Sequence, residues 1–273
     1  MQAALTFLAI VVIFLLVLRL MENSMIYFPV KYPEGFWQPA EFGVAAEDWF
    51  FTTEDGVKLH GWYASQEGAR QTLVWCHGNA GNISHRLDHL KILLERVKVN
   101  VFILGYRGYG RSKGTPSEDG LYLDAQAAYD YLVSQKNVEA SQIILYGQSL
   151  GGAVVIDLAL KRPCAGLIIE SSFTSAKDMA THVYPFLPVH YFMGVRFDSA
   201  AKIARLHAPV LIMHGAQDEV VPYELGQKLF AAANEPKEFY PIQRATHNDP
   251  FIIGGEEYYA KIREFIQRLP DQR

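Results

Sequence analysis

The chain has 273 residues, half of them hydrophobic, one fifth charged and 13% aromatic. This length and apolar content support one large α/β domain with a sizeable core, and they exclude a disordered or low-complexity class. The net charge is -4, with no basic run, so the electrostatic footprint of a nucleic-acid-binding protein is absent.

The chain begins with an apolar stretch, Ala3 to Leu18, in which Thr6 is the one polar residue. With Leu20 and Met21 beyond Arg19 it approaches the roughly 20 residues that a helical membrane span needs. A cleaved secretory signal is the competing reading. No Lys or Arg precedes the run and no A-x-A site follows it, so a retained transmembrane anchor over residues 1–21 is expected. Arg19 and Lys31 follow the run and place the catalytic domain on the cytoplasmic side by the positive-inside tendency. The domain itself is expected over residues 22–273. Its aromatic, Pro-containing start, "MIYFPVKYPEGFW", predicts a segment packed on the domain rather than a flexible linker.

Next, "EDWFFTTEDGVKLHGWYA" reads as a hairpin around Asp55-Gly56. "QTLVWCHG" is a short strand, and "HRLDHLKILLERV" has helical periodicity that puts Leu87, Leu90 and Leu94 on one side. After the strand "VNVFILGY" comes a turn-rich loop, "GYRGYGRSKGTPSEDG". Thr115-Pro116-x-Glu118 predicts a capped helix start with Pro at the first helical position. Leu121, Ala125, Ala128 and Leu132 then form an apolar stripe. "QIILYG", "AGLIIES" and "PVLIMHG" are near-continuous apolar runs, as parallel strands buried on both faces require. "KEFYPI" is the expected last strand, and a helix follows from about Glu256 to Leu269. A hairpin followed by β–α alternation predicts a mostly parallel sheet. The alternation lapses over about 176–205, an aromatic, Pro-broken insertion that is either a lid or a packed connection.

The chemistry gathers at the strand ends. In "ILYGQSLGG", Ser149 sits between a strand and a helix in a G-x-S-x-G pattern, where a sharp turn holds the hydroxyl out at a helix N-terminus. A serine hydroxyl needs a general base, and this arrangement takes an acid and then a histidine from downstream loops. Asp218 in "GAQDEVVP" and His247 in "ATHNDP" hold those positions, with Glu219 the alternative acid. "HGNAGN" follows the first parallel strand, so the oxyanion donors are expected to be the backbone N–H groups of Asn79, with Ala80 the alternative, and of Leu150. His77 is expected to shape this turn rather than to react.

These motifs, together with "DGVKLHGWY", "GYRGYGRSKG", "HGAQDEVVP" and "THND", span nearly all of residues 45–265. In them the chain resembles the α/β-hydrolase superfamily. It is most similar to a membrane-anchored branch grouped with monoacylglycerol-lipase-like and serine-aminopeptidase-like sequences, which includes protein depalmitoylases. The resemblance implies the α/β-hydrolase fold, with a mostly parallel central sheet, helices on both faces and a short lid insertion. It also implies a serine hydrolase, esterase- or thioesterase-like, acting on a small-molecule or lipidated acyl substrate without cofactor or metal. An aminopeptidase or amidase is the runner-up, and a non-catalytic binding protein on this fold is the reading from another class. Relatives often carry Asp before the "YRGYG" loop, where this chain has Gly105.

Three other signals lead elsewhere and are declined. "GYRGYGRS" nearly spells a phosphate loop with Arg111 in the lysine position, but turn residues follow where a helix must begin. His85 and His89 are four apart on a predicted helix, yet Arg86 stands where a metalloprotease needs Glu, which predicts two exposed histidines. Cys76 and Cys164 lack metal or redox spacing and read as unrelated buried thiols.

Overall fold

The structure, a computed structural model, describes residues 19–186 and 189–270, together with residues 2, 6 and 13. Strands β1 (Glu47–Thr52) and β2 (Lys58–Ala64) form the hairpin. Its turn is closed by Gly56 N–H to Thr53 O, with Gly56 at φ 83°. Alternation then sets in: β3 (Thr72–Cys76), α1 (Leu87–Val97), β4 (Asn100–Gly105), α2 (Glu118–Lys136), β5 (Ile143–Gln148), α3 (Leu150–Ala159) and β6 (Gly166–Glu170). After β6 come α4 (Ala176–Val183) and α5 (Ser199–Ile203), then β7 (Val210–Gly215), α6 (Tyr223–Ala232), β8 (Lys237–Ile242), α7 (Pro250–Ile253) and α8 (Gly255–Arg268).

The eight strands lie in the order β8-β7-β6-β5-β3-β4-β2-β1. The β1–β2 and β2–β4 pairs are antiparallel, and every other pair is parallel. Strands buried on both faces explain the unbroken apolar runs, because successive side chains enter opposite cores. Leu73, Trp75, Ile144, Tyr146, Leu211 and Met213 pack with Leu87, Leu90 and Leu93 of α1 and Tyr258, Ile262 and Phe265 of α8. Their strand neighbours Val74, Cys76, Ile143, Leu145, Val210 and Ile212 pack on the other face with Leu121, Ala125, Ala128 and Leu132 of α2 and with Val154 and Val155 of α3. The strand order reverses beside β5 and β3, so their carboxyl ends open the crevice in which such sheets place ligands.

Several expectations change. Helix α2 starts two residues later than the Thr115-Pro116 signal implies. Its N-cap is Ser117, whose Oγ accepts from Gly120 N–H at 3.1 Å. Pro116 thus lies before the helix, where its missing N–H leaves no intrahelical bond unmade. His89 is buried against Phe251, with ring centroids 4.3 Å apart, while His85 is exposed. His85 lies in a short 3-10 turn over Ile83–Arg86, whereas α1 turns His89 inward, next to Leu90 on the core side. Both cysteines are free, Cys76 buried and Cys164 half-buried.

The N-terminal anchor is also corrected. Most of the apolar run lies outside the described residues, and among the described residues no helix is long and apolar enough to cross a membrane. The expectation of a single-pass membrane protein with a cytoplasmic catalytic domain therefore falls. Residues 19–26 are helical and rest on the domain instead: the buried Glu22 carboxylate accepts from Gly194 N–H and Val195 N–H, both at 2.9 Å, and pairs with Arg19.

Candidate active site

Strand β5 delivers Ser149 into a turn that breaks the backbone rule for a residue with a side chain, at φ 51° and ψ -117°. A conformation of this kind costs about 1–3 kcal/mol and persists only where the surroundings hold it. They do so from both sides. Ser149 N–H donates to Glu170 O at 2.8 Å, and the two flanking glycines allow contacts that no other residue would. A Cβ on Gly151 would lie 1.9 Å from Cys76 O, and one on Gly147 would lie 2.4 Å from Gly151 O. The pattern G-x-S-x-G is therefore a packing requirement of α3 against the ends of β3 and β5.

The loops after β7 and β8 meet this turn. Ser149 Oγ–H donates to His247 Nε2 at 3.1 Å, and His247 Nδ1–H donates to Asp218 Oδ2 at 2.7 Å. The Asp218 carboxylate is fully buried and His247 keeps 11% of its side chain exposed. The other oxygen of Asp218 accepts from Val220 N–H and Val221 N–H at 2.9 and 2.7 Å, and His214 Nε2 lies 3.3 Å from Oδ2. Burial pushes the Asp218 pKa up, but the hydrogen bonds from His214, His247 and the backbone outweigh it and hold the carboxyl well below the usual range. Asp218 is thus an ionised acceptor beside an imidazole. Glu219 is exposed, and its carboxylate reaches only the backbone N–H of His247, at 3.3 Å.

The loop after β3 borders the serine: a Cβ on Gly78 would lie 3.6 Å from Ser149 Cβ. Among the described residues, neither Asn79 N–H nor Leu150 N–H has a hydrogen-bond partner within the chain. Ala80 lies in a short parallel register with Phe28, whose N–H donates to Asn79 O. His77 is fully buried, with its Nδ1 2.6 Å from Gly78 O, and burial pushes its pKa down to about 3, so the ring is neutral. Among the described residues no three His, Cys, Asp or Glu side chains gather as a metal site.

Some features of this region carried no motif. Glu170 is fully buried and accepts from Gln148 Nε2 at 2.8 Å, from Tyr146 Oη at 2.9 Å and from Tyr258 Oη. Burial raises its pKa, and these three donors oppose the rise. It braces the Ser149 turn from behind. A polar residue at the carboxyl end of an otherwise apolar strand is the signal that could have marked both Glu170 and His214. The "YRGYG" loop, which follows Gly105, is anchored by Arg107. Its Nε and backbone N–H bind the carboxylate of buried Asp124 at 2.8 and 2.7 Å, and its two terminal nitrogens bind Asp55 at 2.8 and 3.0 Å.

Fold and comparisons agree on the class. The chain belongs to the α/β-hydrolase superfamily, and it is a hydrolase by family. A family model described as serine aminopeptidase, S33 (Hydrolase_4) matches residues 67–199. The chain is 36% identical to the alpha/beta hydrolase domain-containing protein WAV2 of Arabidopsis thaliana, covering 92% of this chain and 90% of WAV2. It is 35% identical to protein bem46 of Schizosaccharomyces pombe, over 90% and 85% of the two chains. Among solved structures, an esterase of Pyrococcus furiosus, Pf2001, superposes with a TM-score of 0.73 at 21% identity, covering 89% of this chain and 98% of that one. An alpha-beta hydrolase from Vibrio vulnificus does so with a TM-score of 0.68 at 23% identity, over 83% and 82%.

Proposed function

We propose that the protein is a serine hydrolase that cleaves a carboxylic ester or thioester of an apolar acyl group through an acyl-enzyme. The observation that carries this reading is the continuous hydrogen-bonded line from Ser149 Oγ through His247 to the buried Asp218 carboxylate. Ser149 Oγ attacks the acyl carbon while its proton passes to His247 Nε2, and Asp218 stabilises the imidazolium that forms. Asn79 N–H and Leu150 N–H receive the negative charge on the carbonyl oxygen, a contribution usually worth several kcal/mol. As the tetrahedral intermediate collapses, His247 returns the proton to the leaving alcohol or thiol. Water then attacks the acyl-serine by the same route, with His247 as its base, and frees the acid and Ser149.

The apolar acyl preference rests on the insertion over about 176–205, read as a lid. It carries Phe186, Tyr191 and Phe192 exposed in the connection between β6 and β7, with Phe186 95% accessible. Esterases among the structures of similar fold agree with an ester substrate. The description of the matched family model favours an amide as the second reading.

Both readings meet one experiment. The purified protein is treated with a fluorophosphonate probe and assayed on p-nitrophenyl esters of graded chain length, acyl thioesters and aminoacyl amides, in parallel with Ser149→Ala. Labelling and turnover are expected in the parent and absent in the variant, with longer acyl chains preferred. Labelling that survives Ser149→Ala overturns the serine reading, and turnover confined to the amides overturns the ester reading in favour of the second.

A further inference from the structure

The oxyanion loop is held by a part of the chain that lies upstream of the matched family region. Residues 26–32 run alongside it as a strap. Phe28 N–H donates to Asn79 O at 3.0 Å and Val30 N–H to Gly81 O at 2.9 Å, in parallel register Phe28 with Ala80 and Pro29 with Gly81. The strap's far side is tied to the "YRGYG" loop by Tyr32 N–H to Gly110 O and Gly110 N–H to Val30 O, at 3.0 and 2.9 Å. Its start is tied down through Glu22, which holds the backbone of Gly194 and Val195 within the aromatic insertion.

Asn79 is the point where these ties converge. Its side-chain Nδ2–H donates to Ile26 O at 2.8 Å, and its carbonyl accepts from both Phe28 N–H and the Tyr109 hydroxyl, the latter at 2.6 Å. On the other side of the preceding peptide, His77 Nδ1–H donates to Gly78 O. A trans peptide points its C=O and N–H in opposite directions, so fixing Gly78 O on one side aims Asn79 N–H to the other. The carbonyls of Gly78 and Asn79 and the side-chain Nδ2 are thereby occupied, while the Asn79 N–H is left without a partner among the described residues.

We propose that the strap formed by residues 26–30, bracketed by the Asn79 side chain and the Tyr109 hydroxyl, is a positioning element of the active site that orients the Asn79 N–H as an oxyanion donor. The inference rests on the reading of Ser149 as nucleophile and of Asn79 N–H as donor. Asn79 thus has two roles that its backbone and side chain divide between them. Preorganised donors are effective because they do not reorient as charge develops, and a misplacement of about 1 Å can cost on the order of 100-fold in rate.

The test uses the full chain, with p-nitrophenyl butyrate as substrate and a trifluoromethyl ketone as inhibitor, whose enzyme-bound hemiketal carries the same oxyanion. Asn79→Ala removes the bracket to Ile26 but keeps the backbone N–H, and Tyr109→Phe removes only the hydroxyl. Each is expected to lower kcat by about 10- to 100-fold with KM within about twofold. Inhibitor affinity should weaken by a similar factor while the thermal midpoint stays near the parent's. The double variant should lose little more than the worse single one, since both act through one peptide. If kcat is unchanged in both variants while Ser149→Ala is inactive, the strap proposal is overturned and the serine reading stands. Loss of kcat with unaltered inhibitor affinity, or in step with thermal stability, also overturns it. Turnover at the parent rate in Ser149→Ala would instead overturn the reading on which it rests.

Discussion

Asp218 and Glu219 are neighbours in sequence, yet the turn after β7 sends them to opposite surroundings. Asp218 is drawn inward because its Oδ1 caps the N–H groups of Val220 and Val221, which leaves Oδ2 free to face His247 and His214. Sequence inspection offers a cap and a catalytic acid as competing roles for Asp218, but its two oxygens are compatible with both, one capping the turn and the other facing His247. Glu219 stays in solvent. Asp218→Asn is therefore expected to lower kcat on p-nitrophenyl esters by several orders of magnitude, because an amide cannot stabilise the imidazolium and favours the wrong tautomer. Glu219→Gln should change kcat less than about threefold, as its carboxylate meets only an exposed backbone group. A larger loss in Glu219→Gln than in Asp218→Asn would move the acid to position 219.

At the scale of elements, the Ser149 turn depends on how closely α3 approaches the end of β3. In an exposed helix, Gly→Ala is stabilising by about 1 kcal/mol. At Gly151 the same change places a methyl 1.9 Å from Cys76 O and 2.9 Å from His77 O, both backbone atoms that cannot swing aside. The helix must then lift from the strand, carrying Leu150 N–H with it. Gly151→Ala is expected to lower stability by about 1–3 kcal/mol, the usual cost of overpacking, and calorimetry should show the midpoint falling by several degrees with activity reduced at temperatures where the variant remains folded. An unchanged or raised midpoint would show that α3 has room that these distances deny. The other elements were legible from pattern alone where both faces are buried, as in β3, β5 and β7. The start of α2 was not, because Thr115 and Ser117 are both acceptable caps and only the path of the preceding loop selects the second.

For the whole molecule, buried histidines govern the response to acid. His77 and His89 are enclosed in the two cores, and burial pushes each pKa down to about 3, with the Arg86 charge adding to the effect. The unfolded chain binds these protons near 6.5, so the stability they contribute is present above that pH and is lost as pH falls toward 3. Each histidine adds a slope of up to about 1.4 kcal/mol per pH unit in that interval. Asp218, with its depressed value, acts only below the ordinary carboxylate range. Glu170, raised by burial, works in the opposite sense and offsets part of the slope. The thermal midpoint is expected to fall between pH 7 and pH 4.5, and His89→Phe, which keeps the stack on Phe251, should flatten that fall. An identical midpoint-against-pH curve in the variant would rule out His89 as a contributor.

By itself the sequence determined the α/β class, the strand and helix order, and the positions from which Ser149, Asp218 and His247 approach one another. It could do so because these properties are local: apolar runs of strand length, helical stripes, and turn residues at strand ends. Tertiary structure alone decided which of Asp218 and Glu219 faces the histidine and that His89 is core rather than surface. It also decided that the helix over residues 19–26 docks on the domain, and that the chain upstream of the hairpin braces the loop after β3. These outcomes depend on hydrogen bonds between residues tens to more than a hundred positions apart, such as Ile26 with Asn79 and Glu22 with Gly194. No periodicity or spacing along the chain encodes such pairs, since they exist only once the sheet has brought its strand ends together.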